Sequence, residues 1–219
     1  MKIVAFGDVH MAIAQMRKIA VELASADLII LSGDLTHFGG RADAAKVVHA
    51  ARTYCRQVLT LPGNVDQPEV LDFLQTEQVS LHREHRRLDD LAIFGCGGSN
   101  ITPFRTPLEY EDAELGRILA DAYTGVAETA LQLMVCHTPP YATKLDRLTT
   151  GIPVGSQAVR QFIEQHQPQV CITGHIHESP GVDAIGRTKI LNAGPFAAGG
   201  YIVAWCHDGT LDAELRFTS

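Results

Sequence analysis

No stretch of this sequence carries a block of lysines or arginines. Its 18 basic residues stand against 25 acidic ones, for a formal net charge of −7. That balance disfavours a general nucleic-acid or anionic-membrane binder. It leaves a small phosphorylated substrate open, because a bound metal reverses the local sign of charge. Long apolar runs are missing too, none approaching the roughly 20 residues a membrane helix needs. The start, MKIVAFGDVH, has too short an apolar stretch for a signal peptide, and Asp8 cuts it off. A cytoplasmic location is the expectation. The five cysteines (Cys55, Cys96, Cys136, Cys171, Cys206) form no CxxC pair. Their odd number argues against a disulfide framework. Cys136, Cys171 and Cys206 lie in apolar runs and read as core thiols. The lone tryptophan, Trp205, also reads as core. There is no internal repeat, low-complexity tract or linker. With 46% hydrophobic and 20% charged residues, the 219-residue chain reads as a single globular domain over 1–219. Its oligomeric state is left open.

What the chain does carry is short apolar runs separated by helical patterns. Residues 2–6 (KIVAF), 28–32 (LIILS) and 57–61 (QVLTL) read as buried strands. Residues 11–25 place Ile13, Met16, Ala20 and Leu23 on one helix face. Residues 41–55 do so with Ala44, Val47, Val48 and Ala51, and 68–77 with Val70, Leu71 and Leu74. Such a β-α-β-α-β run predicts a parallel sheet with right-handed crossovers. The second half is richer in strands, expected at 91–96, 130–136, 169–173, 187–193, 200–206 and 211–217. Helices are expected at 111–124 and 156–166, the latter opened by Ser156 as N-cap. Asp208-Gly209 is a strong hairpin signal between the last two strands. Two long irregular segments, 97–107 and 139–155, are expected to be functional loops.

The residues that follow the buried strands are unusual. After the first comes Gly7-Asp8-Val9-His10, after the second Gly33-Asp34, after the third Pro62-Gly63-Asn64-Val65-Asp66. His137 follows 130–136, and Gly174-His175-Ile176-His177 follows 169–173. Taken alone, the HxH of CITGHIHE is either a pair of surface histidines on a turn or two metal ligands. The full set decides. Ligands of open α/β sheets bind at the carboxyl ends of the strands, and here those ends carry Asp, Asn and His with no lysine. Carboxylate and amide oxygens with imidazole nitrogens, and no thiolate, suit a first-row divalent ion such as Mn, Fe or Zn. Asp8, His10, Asp34, Asn64, His137, His175 and His177 are more donors than one tetrahedral ion uses, and two ions sharing a carboxylate would use them all. The preceding glycines fit turns that need positive φ or close backbone approach.

The ordered set DxH, GD, GN followed by an acid, a lone H and GHxH resembles the calcineurin-like metallophosphoesterase family. The match runs from Asp8 to His177, and HTPPYATKLD and TGHIHES look most like its small stand-alone prokaryotic branch. The resemblance implies an α/β fold, a four-layer αββα sandwich of two mixed β-sheets flanked by helices. It implies that Asp8, His10, Asp34 and His177 hold one divalent metal ion. Asp34, Asn64, His137 and His175 would hold a second, with Asp34 as the bridge. The expected catalytic residues are Asp34, Asn64 and His137. Two ions so placed would lower the pKa of a shared water and let hydroxide attack phosphorus in line. Hydrolysis of phosphoesters, phosphodiesters foremost, is the expected activity. A phosphomonoesterase or protein phosphatase, and a non-catalytic binding scaffold on the same fold, are the alternatives.

The chain departs from the family pattern at Val65, where a histidine usually stands between the asparagine and the acid. Valine cannot donate a proton to a leaving oxygen, and such help is typically worth about 10²–10⁴-fold. An enzyme without it should favour esters whose leaving groups need no proton. His37 could donate from another direction but reads as an exposed or supporting loop residue. Asp66 reads as a brace for its loop. Arg105, Lys144 and Arg147 are weak candidates for substrate contact, and Asn192, Gly194 and Phe196 could line the site. His49, His82, His85, His166 and His207 read as solvated or core histidines, and Arg83, Arg86 and Arg87 as a solvated basic cluster.

Overall fold

The computed structural model describes residues 1–218. The first half runs β1 (Lys2–Phe6), a 3₁₀ segment (Ile13–Ile19), α1 (Ala20–Ala24), β2 (Leu28–Leu31), α2 (Arg41–Arg52), β3 (Val58–Thr60) and α3 (Glu69–Thr76). The second half runs β4 (His85–Leu88), β5 (Leu91–Cys96), β6 (Ser99–Asn100), β7 (Glu109–Tyr110), α4 (Asp112–Tyr123), β8 (Leu131–Cys136) and α5 (Gln157–His166). It continues with β9 (Val170–Thr173), β10 (Gly181–Ile185), β11 (Thr188–Asn192), β12 (Gly200–His207) and β13 (Thr210–Phe217).

Eleven of these strands form two large mixed sheets, and β6 and β7 pair with each other. One large sheet has the order β13-β12-β1-β2-β3, the other β10-β11-β9-β8-β5-β4. The parallel β1-β2-β3 core expected from the βαβ pattern is present, with Val4 opposite Ile29 and Ile30 opposite Leu59. The second sheet has its own parallel core, β11-β9-β8-β5, closed at each edge by an antiparallel strand.

Period-two alternation on strands buried from both sides sorts the side chains into three cores. Ile3, Ala5, Ile30, Leu133, Ile172 and Ile202 share the layer between the sheets. Val4, Phe6, Ile29 and Leu31 turn the other way, against Val47 and Val48 of α2 and Phe73 of α3. Phe94, Met134 and Cys171 face Leu119 of α4 and Phe162 of α5 in the same manner. The result is the expected four-layer αββα arrangement. No helix among the described residues is long and apolar enough to cross a membrane.

Several local expectations change. The segment expected as one helix over 11–25 begins as a 3₁₀ segment, and Ile19, not Ala20, is buried with Met16. Ile13, Met16 and Ile19 recur every three residues, which is the 3₁₀ turn. β4 and β10 are strands that apolar patterning does not reveal. Both are edge strands: β4 reads HRRL with no buried residue, and β10 reads GVDAI with Val182 and Ala184 exposed and only Ile185 buried. Trp205 is only half-buried, with the Arg216 guanidinium 5.2 Å over its ring. Cys206 is likewise half-buried, whereas Cys96, Cys136 and Cys171 are buried. The Ser156 cap is present, its Oγ accepting the Val159 N–H at 3.1 Å. Asp208 and Gly209 sit at φ 49° and 71°, as a type I′ hairpin requires.

Candidate metal centre

Backbone hydrogen bonds hold neighbouring strand ends together within each sheet, and a side-chain contact joins the two sheets. Asp8 N–H donates to Gly33 O at 2.9 Å, and Gly174 N–H to His137 O at 3.0 Å. Between the sheets, His137 Nδ1 lies 2.8 Å from Ser32 O. Close approach is the reason for glycine at 63, where a Cβ would fall 1.9 Å from Asp34 Oδ1. Gly33 has φ +101°, and a Cβ there would meet His137 Nδ1 at 2.3 Å. The positive φ expected of these glycines is otherwise carried by the polar residues themselves. Asp8, His10, Asp34 and His175 lie at φ 48°, 42°, 48° and 68°. Non-glycine residues held in this region are costly and cluster at functional sites.

All seven expected ligands come together. One oxygen or nitrogen from each of Asp8, His10, Asp34 and His177 lies within 4.8 Å of the others. His177 Nε2 is 3.2 Å from Asp8 Oδ1 and 3.2 Å from His10 Nε2. On the far side of Asp34, His137 Nε2 is 3.4 Å from Asp34 Oδ1 and 3.2 Å from Asn64 Oδ1. His175 Nδ1 approaches Asn64 Oδ1 at 2.8 Å. The Asp34 carboxylate touches both groups with different oxygens, since its Oδ2 faces His10 Nε2 at 3.7 Å.

Partners outside the set fix its orientation. A carbonyl only accepts, so Thr36 O at 3.2 Å places the hydrogen of neutral His10 on Nδ1. Ser32 O does the same for His137. Both Nε2 lone pairs then point into the site, the usual arrangement behind metal-ligating histidines. His10 Nε2 and His177 Nε2, 3.2 Å apart, require a proton or a cation to bind them together. The donor set therefore fits divalent metal, with hard oxygens, borderline nitrogens and no thiolate.

The electrostatics agree. Burial pushes the Asp34 carboxyl up, but attraction to His137 and His10 and the Val65 N–H outweigh it and bring it to about 2. Burial pushes His137 down, yet Asp34 and Asp8 raise it to about 10. The same acids that hold a proton on His137 would hold a cation in its place. His177 is raised by its hydrogen bond to Asp8. His175 is lowered to about 4 by burial and the neighbouring His137, leaving a neutral imidazole.

Asp66 is the brace expected of it. Its Oδ1 accepts Thr36 N–H at 2.8 Å and Thr36 Oγ1 at 2.7 Å, and its Oδ2 accepts the Leu35 and Gly63 N–H groups at 3.1 and 2.8 Å. It locks the turn carrying Asp34 to the turn carrying Asn64. Burial and the nearby Asp34 raise its carboxyl to about 6. Asn192 acts from the other side, donating to Ile176 O and Ser179 O at 3.0 and 3.1 Å. Phe196 packs beneath the site, stacked on Phe6 with its N–H on Asp8 O. His37 is exposed, 6.0 Å from the His10 ring.

Two further residues matter that sequence patterns do not flag. Thr106 Oγ1 accepts the Asn64 side-chain amide at 2.9 Å and donates to Glu109 Oε1 at 2.6 Å. Asp146 is fully buried and collects the Ala142, Thr143 and Gly155 N–H groups, pinning the loop 139–155. That loop and 97–107 wall a cleft of about 880 Å³ that opens beside Asn64 and His175. Arg105, Lys144 and Arg147 are not among its lining residues.

With this geometry in view, the chain belongs to the calcineurin-like phosphoesterases, whose family pattern matches residues 1–179. An uncharacterized protein of Methanocaldococcus jannaschii is 35% identical over 199 residues, spanning 89% of this chain and 88% of its own. Among solved structures, a Thermus thermophilus protein superposes with a TM-score of 0.74 at 17% identity, over 97% of both chains. A dimetal phosphatase from Danio rerio does so at 0.63 and 10% identity, over 100% of this chain and 99% of its own. At those identities, the two structures show a shared fold.

Proposed function

We propose that this protein is a phosphodiesterase acting on a small phosphorylated substrate, and that it holds two divalent ions. Asp8, His10, Asp34 and His177 would form one site, and Asp34, Asn64, His137 and His175 the other. The observation that carries this reading is the Asp34 carboxylate, which turns Oδ2 to His10 and Oδ1 to His137 at 3.7 and 3.4 Å. A pair of divalent ions supplies a nucleophile at neutral pH and neutralises charge growing on phosphoryl oxygens; Mn, Fe and Zn all suit these donors.

The chain's own residues contribute position. Thr36 O and Ser32 O keep His10 and His137 in the tautomer that turns Nε2 inward. Thr106 aims the Asn64 carbonyl oxygen at the two histidines. Asp66 fixes the separation of the two turns. The preference for diesters rests on Val65, which offers the leaving oxygen no proton.

The test is Mn²⁺-dependent hydrolysis of bis(p-nitrophenyl) phosphate beside the monoester p-nitrophenyl phosphate, in wild type and Asp34→Asn. Metal-dependent turnover that favours the diester and disappears in the variant is expected. Faster monoester turnover would make the protein a phosphomonoesterase. Two ions bound by calorimetry without turnover of either ester would make it a binding scaffold.

A further inference from the structure

The cleft beside the metal centre has a chemistry of its own. It is continuous with the site, because Asn64 and His175 line both. At about 880 Å³ it has the size of a small-molecule pocket. Ile101 and Phe104 come from the loop 97–107, and Leu148 and Val154 from the loop 139–155. Phe104 is 81% exposed and Ile101 55%, so large apolar surfaces stand bare at its mouth. The charged side chains in the wall are all acidic: Glu111, Asp112 and Glu178. No lysine or arginine lines it among the described residues. Asp112 is engaged by Ser156 Oγ and the Ala158 N–H, at 2.5 and 2.8 Å. The carboxylates of Glu111 and Glu178 have no hydrogen-bond or ion-pair partner among the described residues.

Such a wall recognises a particular kind of group. Apolar side chains take an apolar body, and free carboxylates accept from hydroxyl or amine hydrogens. The same carboxylates repel a further anion, and the charge of cations at the metal centre would be offset there by Asp8, Asp34 and the phosphate they hold. Resting on the phosphodiesterase reading, we propose that this cleft selects the second ester group on phosphorus. That group is a nucleoside-sized body with an apolar face and hydrogen-bond donors, bearing no further phosphate or other negative charge. Arg105, Lys144 and Arg147, the weak candidates for substrate contact, do not line the cleft and so do not offset its acidic side chains.

A matched pair of chromogenic substrates tests this. The p-nitrophenyl ester of thymidine 5′-monophosphate is compared with the same compound carrying a 3′-phosphate, with bis(p-nitrophenyl) phosphate as reference. In the Mn²⁺-loaded enzyme the added phosphate is expected to lower kcat/KM by roughly fivefold or more, the scale of one screened charge contact. Glu111→Gln/Glu178→Gln is expected to narrow that ratio, and Phe104→Ala to raise KM for both nucleoside esters. Equal or better use of the phosphorylated ester overturns the proposal. So does a penalty that the double glutamine variant leaves unchanged. Loss of turnover on every diester, the reference included, overturns the phosphodiesterase reading and the selectivity with it. Turnover of the reference with no discrimination overturns the selectivity alone.

Discussion

Asn64 donates its side-chain amide to Thr106 Oγ1 at 2.9 Å, and this one contact decides which end of the amide faces the metal centre. With the nitrogen so occupied, Oδ1 meets His175 Nδ1 at 2.8 Å and His137 Nε2 at 3.2 Å. Glu109 completes the chain by accepting from Thr106 Oγ1, which leaves the hydroxyl oxygen free to accept from Asn64. Thr106→Val removes the acceptor while keeping the shape. It is expected to lower metal affinity or kcat/KM by about 10–100-fold, the usual cost of losing a group that orients a metal ligand. Thr106→Ser should restore most of the loss. Calorimetric titration with Mn²⁺ reads the effect directly, and equal affinity in the valine variant would show that Asn64 orients itself.

The contrast between Asn64 and Thr106 shows what a single sequence discloses. Asn64, Asp34 and the histidines are visible because each stands at the end of an apolar strand, where polar residues of this type have little other reason to gather. Thr106 lies 42 residues beyond Asn64 in an irregular loop, and no periodicity relates the two. The same holds for Asp146, whose partners are loop N–H groups. The central strands were legible from continuous burial. β4 and β10 were not, since HRRL has no apolar face and GVDAI leaves its Val182 and Ala184 exposed instead of in a core. Arg105, Lys144 and Arg147, weak candidates for substrate contact, do not line the cleft, because the direction in which a loop cation points is set by tertiary contacts. Arg147, for example, turns its guanidinium to Gly151 O.

Asp66 supports the site through four donors, two on each oxygen. Asp66→Asn replaces one accepting oxygen with an NH₂ group that faces two hydrogens. A buried donor left without an acceptor costs about 1–3 kcal/mol. The variant is therefore expected to lose roughly 2–4 kcal/mol of stability and to bind metal more weakly, because the turns carrying Asp34 and Asn64 are no longer locked. Urea unfolding with and without Mn²⁺ measures both effects. A variant as stable as wild type would mean that the turns hold without the brace.

Val65 gives its N–H to Asp34 Oδ1 at 3.0 Å, so the backbone at this position supports the bridging carboxylate whatever the side chain is. Val65→His can therefore add an imidazole without removing that bond. If the missing proton donor sets the preference for good leaving groups, the ratio of alkyl to aryl diester turnover should rise in the variant, by up to about 10²-fold. Stopped assays with methyl p-nitrophenyl phosphate and dimethyl phosphate give the ratio. No change in it would separate substrate preference from this residue.

His82 offers a pH test away from the metal centre. It is buried, its ring stacks on Tyr110 at 5.8 Å, and its Nδ1 accepts the Gly97 N–H at 3.0 Å. That bond needs the neutral ring. Burial, with Arg83 adding to it, lowers His82 to about 4, against the opposing pull of Glu114. The unfolded chain, with an ordinary histidine, binds this proton near pH 6.5 and the folded chain only near 4. The unfolded state thus holds more protons throughout that window, and stability falls as pH drops through it. The full loss is about 3 kcal/mol at 1.36 kcal/mol per pH unit. Asp66, raised to about 6, works in the opposite direction over part of the same range, so the difference between two proteins is the useful quantity. His82→Gln keeps an acceptor for Gly97 and cannot titrate. Its stability relative to wild type should rise steadily from pH 6.5 to pH 4 in urea unfolding. A difference that stays flat across that range would mean His82 is free to take its proton in the folded chain.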